Sequence, residues 1–105
     1  MIVRSAFLEG SVAEADRPLF DQQMQGPVLD AIRTYPGIRD VKLRRLVQAD
    51  DGTPPLYMVF DLYFDDLAAM EAALATPTRQ AVRARIAQAM GAFQGRVYHQ
   101  VFAQD

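Results

Sequence analysis

One carboxylate and one imidazole are the side chains of this sequence best suited to acid–base chemistry. Asp61 stands inside the apolar run YMVFDLYFDD, residues 57–66, and His99 is the only histidine. A carboxylate enclosed by apolar residues, or an imidazole whose ordinary pKa is about 6.5, can act as a general base. Both also have a structural interpretation, which stays open. Asp61 would form an ion pair with an arginine such as Arg4 or Arg45, and His99 would be a hydrogen-bonded strand residue.

Four further residues are candidates to contact a ligand. Tyr57 and Tyr63 share the side of their strand with the carboxylate, and a phenol can stack on an aromatic ligand or simply pack at an interface. Gln25 precedes Gly26-Pro27, where a kinked helix could open a cavity mouth. Its amide can orient a ligand but does not titrate near neutral pH. Arg4 is either a ligand contact or the partner of the buried carboxylate.

Composition excludes several other chemistries. With no cysteine and a single histidine, the 105 residues offer no disulfide, no thiolate and no ordinary zinc site, so we expect neither metal nor cofactor. A net charge of −2 gives no electrostatic reason to bind nucleic acid or an anionic membrane. The N-terminal residues lack the apolar core of a signal peptide, and no apolar run approaches the roughly 20 residues of a membrane span. We therefore expect a cytoplasmic protein.

Hydrophobic periodicity predicts the order β-α-β-β-α-β, with the second helical segment split in two. The strands are expected at residues 2–9, 38–48, 56–64 and 96–103. In the first helix, apolar residues recur every four positions from Phe20 to Ile32, and Gly26-Pro27 predicts a kink or a break. This pattern indicates one domain over residues 1–105 with an α+β, ferredoxin-like fold, in which a four-stranded antiparallel sheet carries its helices on one face.

The other face of that sheet is predicted to be too apolar to remain in water. In the strand 56–64, five large apolar residues alternate with Tyr57, Val59, Asp61 and Tyr63, which should point away from the helices. Either orientation of the terminal strands leaves this helix-free face largely apolar. Such a patch usually marks an interface, so the sequence predicts a homodimer with two sheets packed face to face.

Three segments resemble EthD-type proteins, which belong to the dimeric α/β-barrel superfamily. They are YMVFDLYFDDLAAMEAALATPTRQAV, GPVLDAIRTYPGIRDVKL and GRVYHQVFA. Other members of that superfamily include muconolactone isomerases and small antibiotic-biosynthesis monooxygenases. The resemblance implies two sheets joined in one barrel, with a ligand cavity inside it or between sheet and helices. It also implies cofactor-free isomerisation, cyclisation, dehydration or oxygenation of aromatic and polyketide-like compounds.

The chain departs from the EthD pattern in its first helix. EthD-like sequences often carry a histidine shortly before a proline there, whereas this chain has Gln25. The family's candidate acid–base residue therefore cannot be transferred, and two hypotheses follow. The protein is either a cofactor-free isomerase, cyclase or oxygenase acting on an apolar or aromatic small molecule, or a non-catalytic dimer that sequesters such a ligand. An interface packed solid by side chains would leave a purely structural oligomer.

Overall fold

Four antiparallel strands form one sheet, and all the helices pack on one of its faces. The computed structural model describes residues 1–105. The strands are β1 (Ile2–Val12), β2 (Asp40–Arg45), β3 (Leu56–Phe64) and β4 (Phe93–Ala103). Their order across the sheet is β2-β3-β1-β4, so β2 and β4 are the edges. This arrangement confirms the predicted ferredoxin-like fold.

The first helical segment continues through Pro27 without a break. It runs from α1 (Arg17–Gln23) through a π-helical turn (Met24–Val28) into α2 (Leu29–Ile32). Because proline has no N–H and its ring crowds the carbonyl one turn back, a regular α-helix is disfavoured here. The wider π turn accommodates the ring, as such turns often do within α-helices. The apolar stripe of this segment stays in register across the turn and is buried throughout: Phe20, Met24, Val28 and Ile32.

Two further helices complete the layer over the sheet, α3 (Leu67–Leu74) and α4 (Thr78–Ala89). The carboxylate of Asp66 caps α3 by accepting a hydrogen bond of 2.8 Å from the N–H of Ala69. The helices cover the alternate residues of β3 that the sequence assigned to them. Met58, Phe60, Leu62 and Phe64 are each at most 6% exposed. None of the helices combines the length and apolar character that a membrane crossing requires.

The first strand does not end at residue 9, before Gly10, as the sequence predicted. It continues to Val12, and Gly10 lies directly opposite Gly95 of β4. Both glycines have positive φ, 157° and 151°, and a Cβ on either would lie 2.1 Å from a carbonyl oxygen of the other strand. Glycine therefore does not terminate the strand here. It permits a close approach that keeps β1 and β4 paired over eleven residues each.

A β-bulge changes the face on which Tyr57 lies. Leu8 pairs with Met58 and Glu9 pairs with Leu56, so Tyr57 has no partner on β1. Its hydroxyl donates a 2.6 Å hydrogen bond to Asp21 of α1. The prediction that Tyr57 points away from the helices is therefore wrong, because the bulge interrupts the alternation on which it was based.

Candidate functional site

A cavity of about 500 Å³ lies between the helix layer and the sheet. Its walls come from β1, β3 and β4 on one side and from the π turn, α2, α3 and α4 on the other. Fourteen of its 18 lining residues are hydrophobic. This size and character are those of a pocket for a small molecule.

One small residue and a sparsely covered edge strand explain why the core is not filled here. In the sheet, Ala6 lies between Phe60 of β3 and His99 of β4, and all three face the cavity. A methyl group cannot span the distance to the helices that a larger side chain would fill. Beyond it, Val97 and His99 belong to the edge strand, where both are exposed in a single chain. The cavity is therefore open toward β4.

Four basic side chains and the phenol of Tyr35 gather on the cavity wall, and we call these five residues the basic end: Arg4, Tyr35, Arg79, Arg83 and His99. Arg4 comes from β1 and His99 from β4, while Tyr35 follows α2. Arg79 and Arg83 are one turn apart on α4, so they present their guanidinium groups on the same side of the helix. The charges of both arginines act on Tyr35 and on His99, which locates the five groups in one region.

The basic end holds its two titratable rings uncharged at neutral pH. Loss of water on the cavity side, followed by the charges of Arg4, Arg79 and Arg83, lowers the pKa of His99 to about 4. Burial raises the pKa of Tyr35 above its usual value, although the same three cations oppose that shift. The imidazole can therefore accept a proton and the phenol can donate one.

The three arginines of the basic end have no partner within the chain. Seven of the ten arginines form a side-chain hydrogen bond or an ion pair. The remaining three are Arg4, Arg79 and Arg83. Burial, followed by the charge of Arg79, lowers the pKa of Arg4, yet a guanidinium remains cationic at neutral pH. Positive charge at this end of the cavity is thus not neutralised by the protein.

Asp61 lies on the opposite face of the sheet and does not reach the cavity. It is 4% exposed and accepts hydrogen bonds from the Ser5 hydroxyl at 2.6 Å and from Arg44 Nε at 2.5 Å. Arg44 Nη2 makes a second bond of 3.1 Å. The ion-pair interpretation of Asp61 fits this geometry, but the expected partners Arg4 and Arg45 were wrong.

Register explains that difference in partner. Arg44 is on β2, where it is paired with Val59, so it lies diagonally beside Asp61 on the same face. Arg45 points to the helix side, with its Nη2 3.9 Å from Asp21. Arg4 lines the cavity, and the sheet separates it from Asp61.

The remaining candidates also lie outside the cavity. Tyr63 is on the helix-free face, with Lys42 Nζ 5.1 Å from its ring centroid. Gln25 is exposed on the π turn, and Tyr57 packs against α1 with its ring edge toward Phe20, 5.4 Å between centroids. Of the six predicted site residues, only Arg4 and His99 line the cavity.

Sequence reasoning missed Tyr35, Arg79 and Arg83. Tyr35 was not singled out as a candidate, and neither were the arginines beside the apolar stripe of α4. A signal was present, because Arg79 and Arg83 directly flank that stripe at a spacing of four. Two arginines in that position border the core, where an unpaired charge needs an explanation.

No family model matches the chain, and no curated protein matches it. Among solved structures, an ethyl tert-butyl ether D (EthD) family protein from Bacillus halodurans has a TM-score of 0.76 and 23% sequence identity, covering 100% of both chains. A DABB family protein from Mesorhizobium loti, described as ferredoxin-like, has a TM-score of 0.68 and 14% identity, covering 98% of this chain and 96% of its own.

Enzymes with this fold also appear among the similar structures. SnoaB, a cofactor-independent oxygenase from Streptomyces nogalater, has a TM-score of 0.61 and 16% identity, covering 98% of this chain and 91% of its own. Identities this low establish a shared architecture rather than a shared activity. The chain therefore has the ferredoxin-like fold seen in proteins of the EthD, DABB and antibiotic biosynthesis monooxygenase groups.

Proposed function

We propose that this protein binds an apolar or aromatic small molecule in the cavity between its helices and its sheet. The observation that carries the proposal is the cavity itself, about 500 Å³ with 14 hydrophobic residues among its 18 lining residues. An apolar body that leaves water for such a pocket gains free energy in proportion to the area buried. The few polar groups at the basic end would fix its orientation.

The basic end also provides the parts of a cofactor-free acid–base reaction. His99, with a pKa of about 4, is neutral at pH 7 and would remove a proton from a bound carbon or hydroxyl acid. Tyr35 would donate a hydrogen bond, and the three guanidinium groups would stabilise the enolate or phenolate that forms. This is the chemistry of isomerases, cyclases and cofactor-independent oxygenases, with His99 in the role of base.

A non-catalytic ligand carrier is the second candidate, and two observations favour it. Gln25 occupies the position at which EthD-like sequences often have a histidine, and its side chain is exposed outside the cavity. Asp61 is held by Ser5 and Arg44 on the other face, where it meets no cavity. If the protein is a carrier, the substitution Gln25→His should not create catalytic turnover of the bound ligand. Turnover that appears with that substitution and is absent from Gln25→Asn would contradict it.

We further propose a homodimer in which a second copy covers the helix-free face and the adjoining edge β4. The two edges of the sheet differ in a way that supports this. β2 exposes Lys42, Arg44 and Arg45, charges typical of a protected edge. β4 carries no such protection over most of its length. It exposes Phe102 on the helix-free face and Val97 and Val101 on the helix side, each by more than 40%. A second copy is the simplest cover for an apolar surface of this kind.

Binding of the neutral, apolar dye N-phenyl-1-naphthylamine tests the proposed site. Ala87 lines the cavity yet is exposed on α4, so Ala87→Trp should block the cavity while disturbing little of the core. Ala81→Trp is the matched control, since Ala81 is exposed on the same helix and lies outside the cavity. We expect the wild type and the Ala81 variant to bind the dye alike. The Ala87 variant should lose at least about tenfold in affinity, the equivalent of one or two buried methylenes.

Equal binding by all three proteins would show that the dye occupies another surface. The proposed site would then be wrong. Circular dichroism and thermal unfolding of the two tryptophan variants establish that both retain the fold.

A further inference from the structure

The arginines of the basic end are an anomaly that the fold does not explain. Every other arginine of the chain has a side-chain hydrogen bond or an ion pair, including strongly exposed residues such as Arg39 and Arg96. The three without one all line the same cavity. Thirteen acidic residues are present in the chain, so acceptors are not scarce. None of them lies where it would neutralise Arg4, Arg79 or Arg83.

This arrangement is unfavourable in the empty protein. Three like charges face one apolar cavity, and Arg4 also loses part of its hydration on folding. Partial desolvation and mutual repulsion both cost free energy, and no interaction within the chain offsets them. A ligand with negative charge would remove both costs at once. Guanidinium is also the side chain best shaped to bind a carboxylate, through two parallel N–H···O hydrogen bonds.

Tyr35 and His99 add two uncharged polar groups beside the three arginines. The Tyr35 side chain is 6% exposed, lines the cavity and has no hydrogen-bond partner in the chain. Its hydroxyl can donate to an anionic oxygen. His99 is paired with Ala6 on the neighbouring strand, and its imidazole lines the same cavity. The rest of the lining is almost entirely hydrophobic, which suits an uncharged body attached to a charged head.

We infer that the ligand of the cavity is an apolar organic anion, whose carboxylate or enolate oxygen is bound by Arg4, Arg79 and Arg83 while its hydrocarbon or aromatic body lies among the apolar lining residues. This inference rests on the proposed function and defines its ligand class. It assigns the arginines as binding residues, which sequence reasoning did not do for two of them.

Displacement of N-phenyl-1-naphthylamine by two competitors of the same shape tests this assignment at pH 7.5. Naphthalene-2-carboxylate is an anion, and naphthalene-2-methanol is its neutral counterpart. We expect the carboxylate to displace the dye at concentrations at least about tenfold lower, since one charge-assisted hydrogen bond contributes at least that factor. Added salt should weaken the carboxylate and leave the alcohol unchanged.

The double variant Arg79→Gln/Arg83→Gln should abolish the preference. Arg33→Gln/Arg85→Gln is the matched control, because it removes the same charge from exposed positions outside the cavity. We expect the control to keep the preference for the anion. The variant Arg79→Lys/Arg83→Lys should retain part of it, since it keeps the charge and loses the two-pronged geometry. Dye binding by each variant shows that the cavity is intact.

The outcomes separate this inference from the function on which it rests. If the dye binds in the cavity but the two competitors displace it equally, the ligand class is wrong and the cavity remains a binding site. A preference that persists in the Arg79/Arg83 double glutamine variant would also overturn the assignment. If Ala87→Trp leaves dye binding unchanged, the proposed function itself fails.

Discussion

The two faces of the sheet differ in whether their charged residues have partners within the chain. On the helix-free face, Asp61 is buried and both its oxygens accept hydrogen bonds, from Ser5 and Arg44. On the helix side, Arg4, Arg79 and Arg83 border a cavity and have no partner. The charges of the first cluster are paired without any ligand, whereas those of the second gain a partner only when an anionic ligand enters the cavity.

This contrast separates a structural role from a binding role more clearly than residue type does. A carboxylate inside an apolar strand suggested chemistry, yet its hydrogen bonds leave it no free oxygen to direct at a substrate. The arginines beside the apolar stripe of α4 suggested no site, yet two of them are among the three arginines of the chain that have no partner. A buried carboxylate that is fully bonded is ordinary, so the three partnerless arginines around one cavity are the more informative residues.

The largest effect we expect is on dimerisation, and it tests the exposed edge strand β4 against an exposed apolar position on a helix. Phe102→Glu would introduce a charge on the exposed face of β4, where Phe102 is 46% exposed in one chain. Burying that charge in an interface is unfavourable, so the dimer dissociation constant should rise by about a hundredfold or more. Sedimentation velocity measures the change. Leu19→Glu, at a 63% exposed position of α1, is the control and should leave assembly unchanged.

A wild-type protein that sediments as a monomer at micromolar concentration would contradict the dimer directly. The cavity would remain, since one chain forms all its described walls.

The next effect is on stability and concerns the helix-free cluster. Asp61→Ala removes the acceptor of Ser5, which is 1% exposed, and frees Arg44 to the solvent. We expect the free energy of unfolding to fall by about 2 kcal/mol, the cost of an unsatisfied buried hydroxyl. Urea unfolding measures the loss. Dye binding in the cavity should be unchanged, and a loss of dye affinity in a folded Asp61→Ala protein would contradict the separation of the two faces.

Asp65→Ala is the matched control for that experiment. Asp65 forms two hydrogen bonds with Arg39, as Asp61 does with Arg44, but it lies at the surface. Exposed ion pairs contribute little, so its loss should be clearly smaller. Equal losses would mean that burial is not what makes the Asp61 cluster important.

On the helix side, removing a charged side chain should raise the free energy of unfolding rather than lower it. Arg4→Met removes one of three unpaired cations and keeps the long apolar stem, so repulsion and desolvation both decrease. We expect the free energy of unfolding to rise by about 0.5 to 1 kcal/mol, while the preference for anionic competitors decreases. A destabilised Arg4→Met protein would show that the guanidinium has a structural partner after all.

The smallest effect is the pH dependence contributed by His99. Its pKa is lowered from 6.5 to about 4 on folding, among Arg4, Tyr35, Arg79 and Arg83. Between these pH values the unfolded chain binds a proton that the folded chain does not. Stability therefore rises with pH from about 4 to 6.5, and falls on acidification through the same range. His99→Gln should remove this slope, and at pH 7 it should change the free energy of unfolding by less than about 1 kcal/mol, because the imidazole is mostly uncharged in both states there. An unchanged slope in that variant would contradict it.

The fold was predictable because it depends on features that repeat along the chain. Alternation in β3 assigned Met58, Phe60, Leu62 and Phe64 to the helix side, and the four-residue period identified the first helix despite Pro27. The site depended on single exceptions to such patterns. One bulge moved Tyr57 to the other face, and a diagonal cross-strand contact selected Arg44 rather than Arg4 or Arg45.

The cavity itself could not be predicted from residue types. It exists because Ala6 is small where Phe60 and His99 flank it, and because the helices pack only sparsely on β4 beyond Phe93, which stacks on Phe20. Volume left unfilled between elements depends on their distance and angle, which no local pattern encodes. Arg79 and Arg83 can be recognised as binding residues only once the position of the cavity is known.

The pKa of the single histidine tests the central claim most directly, since His99 gives one imidazole signal in the NMR spectrum. We predict a pKa of about 4 in the free protein. Saturation with naphthalene-2-sulfonate, an anion that stands in for a carboxylate and does not titrate in this range, should raise that pKa, because the ligand neutralises Arg4, Arg79 and Arg83. Naphthalene-2-methanol should not raise it. A pKa near 6.5 that neither compound changes would contradict a basic, ligand-binding cavity on the helix side of this sheet.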